Sequence, residues 1–77
     1  MNLGIDMSDH HTYKKLEVVG SSTTSIEDAI ENAINECSKS VSNMNWFEVV
    51  ETRGHIVDGK VGHYQVTLKI GFRIAGS

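Results

Sequence analysis

Between Gly62 and Ile74 the chain alternates without interruption: Tyr64, Val66, Leu68, Ile70, Phe72 and Ile74 interleave with His63, Gln65, Thr67, Lys69, Gly71 and Arg73. A period of two puts these sets on opposite faces of a strand, so the segment requires a sheet with one face covered and one open. Asp58-Gly59, just upstream, is the preferred centre of a two-residue type I′ turn. The strand is therefore the second arm of a hairpin, and the first arm starts at Asn45.

The other apolar pattern has the helical period. Ile26, Ala29, Ile30, Ala33, Ile34, Cys37 and Val41 recur along one side, with Glu27, Asp28, Glu31 and Glu36 opposite, which predicts one amphipathic helix to about Val41. Lys39 then stands near its negative end. Ser21-Ser22-Thr23-Thr24-Ser25 supplies the N-cap: Thr24 with Glu27 fits a capping box, and Ser22 suits a slightly earlier start. Thr12 to Gly20 alternates as a first strand, with Leu16 and Val18 inward, Lys15 and Glu17 outward, and Gly20 ending it. Met1 to His11 has neither period and reads as a disordered leader ahead of a single domain, residues 12–77, with Met7 as a second candidate start. If the helix returns the chain across the sheet, the first two strands run parallel and the third lies between them, antiparallel to both, in order 1-3-2. The expected class is α+β, a β-α-β-β subunit whose three-stranded sheet packs on one helix.

A core this small supplies on the order of 3–5 kcal/mol unless something else helps. With Cys37 as the single cysteine, an internal disulfide is excluded, and no cysteine-histidine spacing resembles a zinc site. Oligomerisation is left. The net charge of −3 without a basic cluster argues against nucleic acid. No apolar run has membrane-spanning length and no signal peptide is visible, so the expectation is a soluble cytoplasmic chain without a membrane partner. Cys37 sits on the apolar stripe of the helix and reads as an inert thiol. His55 and His63 flank the hairpin tip, but two histidines without a carboxylate set read as solvated, and no metal is expected. Glu48 and Glu51 lack the pocket walls that a glycosidase pair needs.

A two-residue loop pairs Val57 with Lys60, and the ladder continues to Val49 with Leu68, Glu48 with Lys69 as an ion pair, Phe47 with Ile70, and Trp46 with Gly71. Trp46 is the only tryptophan, and this register puts it on the open face with Arg73 diagonally beyond. A tryptophan there needs a partner, either another chain or a flat ligand. Nearer the turn the alternation misfires, because Glu51 and Arg53 fall on the core side. A β-bulge between Val50 and Gly54 is expected to restore the parity and bring Ile56 inward.

Taken together, Tyr13-Lys14-Lys15, Gly20-Ser21-Ser22, Asn45-Trp46-Phe47-Glu48-Val49, Arg53-Gly54, Tyr64-Gln65-Val66 and Gly71-Phe72-Arg73 resemble the dodecin family over Thr12 to Ile74. The resemblance implies a hollow homododecamer of β-α-β-β subunits that stores or buffers flavins and is not an enzyme. It implies paired flavins stacked between tryptophans of two-fold-related subunits. By the same resemblance Trp46 is the stacking residue, Gln65 bonds the polar edge of the isoalloxazine, and Asn45, Arg53 and Arg73 belong to the flavin site. Which flavin is bound, whether riboflavin, FMN, FAD or lumichrome, stays open. The competing reading is a structural oligomer or interaction module in which Trp46 is an interface hot spot. In the simple ladder Gln65 stands opposite Thr52, roughly 20 Å from Trp46 along the strand, so the pocket is expected to draw Trp46 and Gln65 from different subunits.

Overall fold

The computed structural model describes residues 10–77. Its elements are β1 (Tyr13–Ser22), α1 (Ile26–Cys37), β2 (Met44–Val57) and β3 (Lys60–Arg73). The sheet has the order β1-β3-β2, with β3 antiparallel to both neighbours. This is the β-α-β-β arrangement that the alternation and the single amphipathic helix dictate. Asp58 and Gly59 make the turn at φ values of 52° and 74°, as a type I′ hairpin demands. The leader reading for residues 1–9 lies outside the described residues. His11, by contrast, is tied down, with Nδ1 2.8 Å from the carbonyl oxygen of Ser77.

The core is one small layer. Ala29 and Ala33 of α1 pack on Val66, Leu68 and Ile70 of β3, with Leu16, Val18, Ile30, Ile34, Cys37 and Met44 around them. Gly20 does not end β1, which runs on to Ser22. Its role is close approach: a Cβ at Gly20 would strike the carbonyl oxygen of Ala29 and the Ala33 methyl. The missing side chain lets the helix settle on the strand.

The ends of α1 differ in detail from the sequence reading. The N-cap is Ser25, neither Thr24 nor Ser22. Ser25 is extended, and its Oγ accepts from the Asp28 N–H at 2.9 Å. Ser22 acts one layer out, its Oγ accepting from the Thr24 N–H at 2.8 Å while donating to the Asp28 carboxylate at 2.7 Å. At the other end the helix stops at Cys37, short of Val41. Lys39 N–H bonds the Glu36 carbonyl at 3.2 Å and Ser40 N–H the Cys37 carbonyl at 3.0 Å, tightening the chain into i to i−3 turns through the polar Ser38-Lys39-Ser40 run. Lys39 therefore lies beyond the last helical turn, where it pairs with Glu36 at 3.2 Å.

Two register shifts along the hairpin offset each other. Val50 is an extra residue in β2, at the edge of the expected bulge, and Gly62 is an extra residue in β3. Because each strand carries one, the simple hairpin count holds at both ends, with Val57 opposite Lys60 and Trp46 opposite Gly71. Between the bulges it is displaced by one, so Gln65 faces Arg53, not Thr52. A third shift follows at Asn45, between the Trp46–Gly71 and Met44–Phe72 pairs. Glu51 and Arg53, opposite Thr67 and Gln65, thereby join the open face.

Ile56 does not become core; it is 78% exposed. The helix packs against β1 and β3, and β2 lies at the margin of its cover. Phe47 and Val49, whose β3 partners Ile70 and Leu68 are buried, are each 45% exposed for the same reason.

Candidate functional site

Trp46 owes its position to the irregular start of β2. Asn43 adopts a left-handed φ of 63°, and its carbonyl accepts from the Arg73 N–H at 3.0 Å, which pins this corner to the end of β3. Asn45 is then the extra residue before the regular Trp46–Gly71 pair. The indole folds over β3 instead of standing away from it. A Cβ at Gly71 would collide with Cε2, Cζ2 and Cη2 of Trp46, so the absence of a side chain at Gly71 makes the seat for the ring. From the far side of β3, Tyr13 stands edge-on to the indole, with ring centroids 5.3 Å apart and planes at 61°. Trp46 remains 39% exposed. One indole face rests on backbone and the other is turned outward.

The ion pair beside this platform is not the expected Glu48–Lys69 contact. Lys15 Nζ reaches across β3 to the Glu48 carboxylate, 3.0 Å from Oε1 and 2.9 Å from Oε2. Lys15 is opposite Gly71 in the β1 ladder and Glu48 opposite Lys69 in the β2 ladder, so the pair crosses β3 on the diagonal. Both partners are substantially exposed, so the pair contributes little to stability and acts chiefly to orient the two side chains.

The five residues expected at the site fall into two groups. Trp46, Asn45 and Arg73 come together at one end of the sheet. Asn45 and Arg73 line a polar cleft of about 400 Å³ with His11, Tyr13, Asn43 and Met44. Arg53 and Gln65 pair directly at the other end of the open face. Gln65 is six residues along β3 from Gly71, on the order of 20 Å in an extended strand. Both groups share one face, but within one chain they do not converge. A larger groove of about 720 Å³ lies on the helix side, between α1 and Phe47, away from this face.

Tyr13, Lys15 and His11 were not among the expected site residues. The signal for Tyr13 and Lys15 was present in the alternation of the first strand. It becomes usable only with the β1–β3 register, Tyr13 opposite Arg73 and Lys15 opposite Gly71. Among the described residues no group of three or more His, Cys, Asp and Glu is placed to hold a metal ion, and no helix is long and apolar enough to cross a membrane.

Fold and site together define a small open-faced α+β subunit built around an aromatic platform that needs a partner on its outer side. The dodecin family model matches residues 12–75. The dodecin of Thermus thermophilus is 45% identical over 62 residues, covering 80% of this chain and 90% of that protein. The chain belongs to the dodecin family, a family of small flavin-binding proteins. Among solved structures, dodecin from Streptomyces coelicolor superposes with a TM-score of 0.85 at 45% identity, covering 90% of this chain and 99% of that one. Dodecin from Streptomyces davaonensis gives 0.82 at 47% identity, covering 86% and 97%. The Thermus dodecin has also been solved as variants with one tryptophan changed to phenylalanine and with either of two arginines changed to alanine.

Proposed function

We propose that this chain is a cytoplasmic flavin store that assembles as a homododecamer and holds flavins dark by stacking them on Trp46. The observation that carries the reading is the indole laid over Gly71 with a single face left free. An aromatic fixed in this way presents a flat, pre-oriented surface of about the width of one ring system, at little entropic cost on binding. With its inner face on backbone, each indole stacks one flavin only, so a flavin pair between two tryptophans is the arrangement that buries both rings.

The ligand-side roles follow from position. Trp46 supplies the stack and, as an electron-rich indole in contact with the ring, a route for quenching the excited flavin. Gln65 offers both a donor and an acceptor to the polar edge of the isoalloxazine. Arg53, directly opposite Gln65, and Arg73 with Asn45 at the tryptophan end supply charge and amide groups for the tail. The arginines altered in the Thermus protein lie seven and twenty-seven residues after its altered tryptophan, the spacings of Arg53 and Arg73 from Trp46. No glycine-rich phosphate loop is present in the sequence, so ring recognition dominates and riboflavin, FMN, FAD and lumichrome are all candidate ligands. A ring enclosed in such a stack has no open side for a second reactant, which favours storage over catalysis.

The distance between the Trp46 and Gln65 groups supports a composite pocket. An isoalloxazine is only about half of the ~20 Å that separates them along the strands. Trp46 of one subunit therefore works with Gln65 of a neighbour, and assembly creates the site. The exposed apolar residues on β2, Phe47, Val49 and Val50, are the surface available for that assembly.

The test is to purify the protein, extract and identify any bound chromophore by mass spectrometry, and titrate flavin-free protein with FMN and riboflavin while following flavin fluorescence and light scattering. The reading expects a dodecamer that quenches bound flavin, with flavin binding lost on dissociation. A folded monomer, or a dodecamer that leaves flavin bright, would reject it in favour of Trp46 as an interface anchor. A structure in which Trp46 and Gln65 of a single chain touch the same ring would remove the composite pocket while leaving flavin binding intact.

A further inference from the structure

The hairpin carries a second pair of side chains whose placement depends on the offsetting bulges. In a regular hairpin closed at Asp58-Gly59, His55 would face Gly62. The extra residue at Gly62 instead puts His55 directly opposite His63. Both are exposed, and their rings stand with centroids 6.0 Å apart and planes at 66°. The His ring hydrogen bond found among the described residues belongs to His11, so both hairpin imidazoles are free to turn.

We propose that His55 and His63 form a two-imidazole site for a late first-row divalent cation, copper(II) in preference to nickel(II) or zinc(II). A metal–imidazole bond is about 2.0–2.1 Å, and two rings bound to one ion have centroids roughly 4.5 Å apart at a right angle and about 6.4 Å apart when opposed. The observed spacing of 6.0 Å lies inside that window. At this spacing the two rings are near enough for side-chain rotation to turn one nitrogen of each toward a shared ion. A rigid ladder pair also holds its two ligands close together before the ion arrives, so the second bond costs little further entropy.

The surroundings select the kind of ion. Arg53 stands two residues from His55 on the same face, and its charge disfavours any cation held by field alone. Calcium and magnesium need several oxygen ligands, which this pair does not provide. An ion whose affinity comes from strong bonds to neutral imidazole is the one that fits, and in the usual order of divalent metals copper(II) stands first. Water completes the coordination.

The experiment uses the full-length assembled protein, titrated with copper(II) and followed by calorimetry and electron paramagnetic resonance. The expected result is a site with two nitrogen ligands that is unaffected by a large excess of calcium. His55→Ala and His63→Ala should each weaken it by at least roughly tenfold, since loss of even an outer-shell partner costs about 10- to 100-fold. The leader variant His10→Ala/His11→Ala should leave it in place. Unchanged copper binding in both hairpin variants, or disappearance of the site in the leader variant, overturns the assignment. Neither residue belongs to the buried core, so the variants should keep the wild-type far-ultraviolet dichroism, and light scattering on the same samples reads the assembly size.

Discussion

Replacing Gly71 by alanine tests the platform more sharply than removing the tryptophan, because it moves the indole without deleting it. The added methyl would press on the six-membered ring of Trp46, in conflict with Cε2, Cζ2 and Cη2. Non-bonded carbons need about 3.5–4.0 Å, so the ring must lift by at least roughly 1 Å or swing away from β3. Lifting also opens the edge contact with Tyr13, now at 5.3 Å between centroids. A tilted or mobile indole retains part of its stacking. The expected loss is therefore about 1–2 kcal/mol of flavin affinity, within the range of one aromatic stack and equivalent to roughly a 5- to 30-fold rise in Kd. Fluorescence titration with FMN reads both affinity and residual brightness, and light scattering on the same samples checks that the assembly is intact. Equal affinity and equal quenching in Gly71→Ala and wild type would show that the seat on Gly71 is irrelevant to the ligand.

Trp46→Ala should weaken flavin binding by roughly 1–3 kcal/mol per lost stack and restore flavin fluorescence; tight, fully quenched binding would mean that Trp46 is not the platform. Tyr13→Ala should loosen the indole and reduce flavin affinity by about 0.5–1.5 kcal/mol, with Tyr13→Phe close to wild type, since Tyr13 and Trp46 meet ring to ring. Equal losses in the two variants would instead assign the effect to the hydroxyl. Ser25→Ala should cost about 1 kcal/mol of stability through loss of the cap on Asp28 N–H, seen as a lower urea midpoint, whereas Thr24→Ala should change little. The opposite ranking would reinstate Thr24 as the cap.

Much of this architecture is legible from local repetition. The two-residue period of Tyr64 to Ile74 marks a strand with one buried face, and Val66, Leu68 and Ile70 of that set are the buried residues. The helical period from Ile26 marks the element that covers them, and Asp58-Gly59 marks the turn. From these the strand order follows, because a chain with one hairpin and one crossover helix has few ways to pair its strands. The Trp46–Gly71 pair was legible too, by counting back from the turn. That count succeeds because the extra residues Val50 and Gly62 sit on opposite strands and cancel.

What the tertiary structure alone decided are the contacts between residues far apart in sequence. Alternation assigns a face but not a partner, so it could not say that Lys15 would reach Glu48 past Lys69, or that Tyr13 would brace the indole across β3. Bulge positions depend on which backbone groups find partners across the ladder, and displacing them by a residue changes every pair between them: Gln65 meets Arg53 and His55 meets His63 for that reason. Ile56 has the periodicity of a core residue and is exposed because no helix reaches it. Periodicity states which side of a strand is apolar; burial additionally needs something to lie on that side, and here the helix spans only β1 and β3. The outward face of Trp46 and the uncovered edge of β2 are left over by the same geometry, one small helix on a sheet one strand too wide for it.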